Sequence, residues 1–131
     1  MVELPSNPTD QELLSVVDDW IDALVRGEYL AALTMVEHDP YYRWTPALLE
    51  AVIAGYGLPE PHPSGTVFRV RPRNSATGGP PARNVDRDTG GAPQIEHSLP
   101  LNGEWSDLSA TFRVESRGNS SAIVLEEVHV F

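Results

Sequence analysis

A chain of 131 residues with 19 acids, nine arginines, no lysine and no cysteine fits one domain with its own core, and it excludes disulfides, thiolate metal sites and cysteine nucleophiles. A net charge of −10 disfavours binding to DNA or RNA phosphates and suits a basic protein partner. No apolar run approaches a membrane span, and the opening MVELPSNPTD holds neither a basic nor an apolar segment of the secretory kind, so a cytoplasmic location without membrane association is expected.

Residues 1–8 read as a tail. Thr9-Asp10-Gln11-Glu12 then has the pattern of a capping box, which starts a helix. Leu13, Val16, Val17, Trp20, Ile21 and Leu24 recur at helical spacing, with Asp18, Asp19 and Asp22 on the opposite side. Gly27 ends this helix, and a shorter one from Glu28 runs until His38-Asp39-Pro40. After the aromatic cluster Tyr41-Tyr42-Arg43-Trp44, Thr45-Pro46 caps a third helix that Gly55-Tyr56-Gly57 closes. Pro59, Pro61 and Pro63 form a stiff connector, and from there the pattern is β.

Thr66 to Arg71 alternates as a short strand, with Phe68 and Val70 inward. Residues 72–93 show no sustained periodicity, which makes a long loop that either moves or works. Gln94 to Leu101 resumes a strand with Ile95, His97, Leu99 and Leu101 on one face. Asn102-Gly103 turns it into a hairpin, and Leu108, Ala110, Phe112 and Val114 form the buried face of the next strand. The last strand, Ser121 to Phe131, is apolar on both faces: Val124, Val128 and Val130 on one, Ile123, Leu125 and Phe131 on the other. The expected fold is α+β, a single domain over 1–131. Three N-terminal helices (9–57) pack on a curved, mostly antiparallel sheet of about four strands (66–131), all following the third helix.

Two resemblances are carried by particular segments. WIDALVRGEYLAAL resembles the start of nuclear-transport-factor-2-like domains, which implies helices closing the mouth of a cone made by a bent sheet. WTPALLEAVIAGYG, LNGEWSDLSATF and LEEVHVF together resemble a small uncharacterised bacterial domain family, and that resemblance implies no activity.

Charge is split between the halves: residues 1–62 hold eleven acids against Arg26 and Arg43, giving −9, whereas 63–131 hold eight acids against seven arginines, giving −1. The leading expectation is a small acidic interaction domain that binds a basic protein, in the manner of an immunity or antitoxin inhibitor. Its candidate contact residues are Asp18, Asp19, Asp22, the aromatics Tyr41, Tyr42 and Trp44, and the hairpin-mouth group Glu104, Trp105 and Asp107. Against this, Trp105 can equally pack back on its hairpin, and the aromatic cluster cannot all be exposed.

The alternative is a cone-shaped small-molecule-binding domain or acid–base enzyme. Glu127 and His129, two apart on a strand, share a face, and His97 facing the same interior would complete two imidazoles and a carboxylate able to move protons near neutral pH. The bland reading of each histidine is an edge or hydrogen-bonded residue. A metal needs a third convergent ligand, and Glu96 alternates away from His97, so no metal or other cofactor is expected.

Overall fold

In the computed structural model, which describes residues 2–131, helix α1 spans Asp10–Val25, α2 Tyr29–Met35 and α3 Pro46–Ala54. The strands are β1 (Leu4–Pro5), β2 (Glu37–His38), β3 (Arg83–Asp86), β4 (Gln94–Leu101), β5 (Glu104–Ser116) and β6 (Ser120–Val130).

Two helices start where side chains satisfy their first free amides. Thr9 Oγ1 accepts from Glu12 N at 3.1 Å while Glu12 Oε1 accepts from Thr9 N at 2.9 Å, the reciprocal pair that the sequence predicts. Thr45 Oγ1 accepts from Leu48 N at 3.1 Å, with Pro46 opening α3. At the other end of α3 only glycine fits: a Cβ on Gly55 would collide with the carbonyl oxygens of Leu58 and Glu60, which fold back over it. The apolar stripe of α1 is buried, and Trp20 meets Phe112 of β5 edge to face at 5.1 Å.

Strands β3, β4, β5 and β6 are antiparallel neighbours in that order, and the free edge of β6 takes both short strands, β1 antiparallel and β2 parallel. The sheet curls into a half-barrel. Its tightest turn is the Asn102-Gly103 hairpin, where both residues have positive φ, 52° and 90°. The turn is clamped from outside: Arg69 N donates to Asn102 Oδ1 and Asn102 N donates to Arg69 O, each at 2.9 Å.

Four features differ from the sequence expectation. The sheet has more than four strands, and two precede α3; each is only two residues long, below the length at which alternation can be read, and is held by the β6 edge through Leu4↔Ser121 and His38↔Leu125. The tail over 1–8 therefore includes a paired segment, with Leu4 and Pro8 buried. Thr66 to Arg71 is extended but forms a single bridge, Val70↔Leu101, because its amides go elsewhere: Phe68 N to Ala54 O and Arg69 N to the hairpin. Residues 72–93 contain a 3₁₀ turn at Arg73–Ser75, a bridge from Thr77 to Glu104, and β3.

The fourth difference is a β-bulge in β6. Phe112 pairs with Leu125 and Ala110 with Val128, so Thr111 faces two residues, and its Oγ1 accepts from Glu127 N at 3.2 Å. The bulge moves Val128 to the same inner face as Leu125, where strict alternation would put it opposite. Both remain buried, and the polar Glu126-Glu127 pair takes the kink.

A candidate ligand cleft between helix α1 and the β3–β4 edge

Arg83 of β3 lies directly opposite His97 of β4, and residues paired across an antiparallel ladder share a face. That face is the one α1 covers. His97 is 1% exposed, and its Nδ1 lies 2.7 Å from Ser98 O. A carbonyl only accepts, so Nδ1 carries the proton and Nε2 keeps its lone pair. Arg83 Nη1 donates to that Nε2 at 2.9 Å. The same guanidinium grips Asp18 of α1 with two bonds, Nη1 to Oδ1 at 2.5 Å and Nη2 to Oδ2 at 3.0 Å. Arg73, on the 3₁₀ turn, stands 3.2 Å from the same Asp18 oxygen and 3.9 Å from Asp22, one helical turn further along α1.

Around this chain of groups opens a cleft of about 500 Å³, walled by Pro72, Arg73, Asn74, Pro81, Trp105 and Asp22, with Arg83 and His97 beneath. Trp105 enters the wall because β4 and β5 slip in register beyond Ser98↔Ser109, so that it pairs with Pro100. Its amide donates to Thr77 O at 2.9 Å, and its ring tilts against His97 with centroids 6.0 Å apart.

The electrostatics agree with the geometry. Burial pushes the His97 imidazole below its ordinary 6.5; the Ser98 carbonyl and the Asp18 charge pull the other way, while the Arg83 and Arg73 charges add to the depression. Burial alone would raise the Asp18 carboxyl, but the Arg83 hydrogen bond and the charges of both arginines hold it below its ordinary 3.8. The site at neutral pH is a neutral imidazole between two guanidinium and two carboxylate groups.

The two imidazoles and the carboxylate expected from the sequence do not converge. His97, Ala110 and Val128 form one cross-strand row, while Ser98, Ser109 and His129 form the next, which faces the other side of the sheet. His129 is exposed and lies edge-on to Phe131, with centroids 5.1 Å apart. The Glu127 carboxylate accepts from the Tyr42 hydroxyl at 3.1 Å.

Of the residues expected to contact a partner, Asp18 is consumed by the two arginines and Asp22 lines the cleft, leaving Asp19 exposed on α1. Trp44 is buried and its indole N–H donates to Glu126 O at 2.9 Å; Tyr42 is half-buried, and Tyr41 is 83% exposed. Glu104 and Asp107 are exposed at the hairpin mouth, and Trp105 belongs to the cleft.

Arg73 and Arg83 are the residues that sequence reasoning missed. Val85 is the only apolar residue of β3, so no alternation marks that strand; the usable signal was the turn-rich Asp88-Thr89-Gly90-Gly91 directly before β4, which reads as a hairpin loop. Arginines of the second half, three of them in residues 72–93, bridge the split in charge. Arg73 and Arg83 bind acids of α1, Arg87 binds Asp10, Arg113 binds Asp39 and Arg117 binds Glu37, so cations of the second half neutralise acids of the first.

No protein-family model, curated protein or solved structure matches this chain. Among the described residues no group of three or more His, Asp or Glu side chains is arranged to hold a metal ion, and no helix is long and apolar enough to cross a membrane.

Proposed function

We infer that this domain binds a small molecule in the cleft between α1 and the β3–β4 edge. The observation that carries the reading is the buried, single-tautomer His97 braced by Arg83 at the base of a concave site of about 500 Å³, with Trp105 in its wall. Pockets that hold small ligands combine such a volume with a few convergent polar groups and a perturbed titratable residue. The role is binding, with His97 as a positioning group: its only free lone pair is already engaged by Arg83, which leaves it unable to take a proton from a substrate.

The three indoles supply an internal control for the test. Trp20 is fully buried and Trp44 is locked on Glu126 O, whereas Trp105 borders the cleft. A small-molecule library screened by ¹H–¹⁵N spectra should yield binders that shift the Trp105 indole signal and leave those of Trp20 and Trp44 in place. Binders that move only Trp44, or a library that moves none of the three, would count against the cleft.

A second reading, an inhibitor of the immunity or antitoxin kind that holds a basic protein, is favoured by the exposed ring of Tyr41 and by the surplus of acids. Its test is a pull-down whose yield falls as salt rises, since steering between exposed charges is screened. Asp19→Arg should weaken that capture, and capture insensitive to both salt and Asp19→Arg would remove this reading.

A further inference from the structure

The cleft holds two opposite charges, Arg73 and Asp22, that face each other at 3.9 Å without a hydrogen bond between them. Among the described residues, the Arg73 guanidinium makes no side-chain hydrogen bond: its approach to Asp18 at 3.2 Å competes with the bidentate grip of Arg83 on the same carboxylate, and its Nε is buried without an acceptor. The Asp22 carboxylate likewise accepts no hydrogen bond, and its nearest cation is Arg73 at 3.9 Å, beyond hydrogen-bonding distance. Arg83 is spent by comparison, with Asp18 and His97 both on its Nη atoms.

Burial leaves Arg73 Nε without an acceptor, while the half-exposed Asp22 carboxylate stays open to the cleft, so a ligand that presents an acceptor to Arg73 and a donor to Asp22 suits the pair. The cleft's charges cancel, two arginines against Asp18 and Asp22 with His97 neutral. A simple anion would therefore meet Asp22, and a simple cation would meet Arg73. A molecule with a carboxylate and an ammonium on one carbon satisfies both at once. Beside Asn74, the remaining lining is Trp105 with Pro72 and Pro81, and the indole suits a planar side chain.

Resting on the cleft as the binding site, we propose that its ligand is an aromatic α-amino acid or a close zwitterionic derivative. The carboxylate is held by Arg73, the ammonium by Asp22, and the ring lies on Trp105.

The test is an NMR titration of the full chain, read at the Trp105 indole, with L-phenylalanine, 3-phenylpropanoate, which lacks the ammonium, and phenethylamine, which lacks the carboxylate. Phenylalanine should bind at least about tenfold more tightly than either analogue, the equivalent of one additional charge-assisted contact. Asp22→Asn should abolish its advantage over 3-phenylpropanoate, and Arg73→Gln its advantage over phenethylamine, with the Trp44 indole signal unchanged as proof of folding. Equal binding by all three overturns the zwitterion and leaves the cleft reading standing. Silence of Trp105 towards all three also overturns it, and the cleft itself falls only if the wider library is silent too.

Discussion

His97 gives the cleft a stability that depends on pH. The unfolded imidazole takes up a proton near its ordinary 6.5, whereas the folded one resists, because burial disfavours the charged ring and protonation would add a third cation beside two guanidinium groups. From pH 6.5 downward the unfolded state therefore binds more protons, and stability falls until pH reaches the depressed folded value. Asp18 acts in a separate window, contributing above 3.8 and losing its contribution as pH falls below that. Urea midpoints measured from pH 7 to pH 5 should drop more steeply for the wild type than for His97→Asn; parallel slopes would show that His97 protonates freely. Asp18→Asn leaves Arg83 without its carboxylate and should cost about 1–2 kcal/mol, reduced from the buried-pair value by partial exposure. Asp19→Asn, on the wet side of the same helix turn, should stay within about 0.5 kcal/mol.

At the scale of elements, segment 72–93 departs furthest from a free loop. Arg83–Asp86 is laddered to β4, while Asp88 to Ala92 is an exposed turn closed locally by Thr89 Oγ1 on Ala92 O. Hydrogen exchange should thus divide the segment, with protected amides in 83–86 and fast exchange across 88–92; uniform fast exchange would contradict the pairing. The bulge in β6 makes a similar prediction: Trp44→Phe loses the indole bond to Glu126 O at that kink and should destabilise by about 1 kcal/mol in urea unfolding. These two places also mark what the sequence could not convey. Capping at Thr9 and Thr45, the Asn102-Gly103 reversal and the inward row Ile95, His97, Leu99 were legible because each depends on local chemistry or a regular period. β1, β2 and β3 were not, since two to four residues carry no period and are strands only because an edge of β6 or β4 recruits them. The bulge escaped for the related reason that it breaks the alternation on which face assignments rest. His97 was legible as a candidate, while its true partners, Arg83 and Asp18, are contributed by segments whose docking is long-range.

For the whole molecule, the central consequence is that the charge asymmetry along the chain is bridged across the fold by ion pairs, while the net charge of −10 remains. A net −9 on the first 62 residues suggests a sticky acidic surface, yet five arginines from beyond residue 62 pair with acids from the first half, and two of them shape the cleft. The helix over the half-barrel is thereby tied to the sheet at the place where a ligand would enter: Arg83 fastens it through Asp18, and Arg73 beside it is the group that would hold the ligand carboxylate. A crystal of the protein soaked in L-phenylalanine measures this most directly. Density is expected in the cleft, with the ring against Trp105, the carboxylate at Arg73 and the ammonium at Asp22. Density in the apolar groove beside Pro59, Pro61 and Val67, or on the outer sheet face near Phe131, with the cleft between α1 and β3 left without ligand, would contradict it.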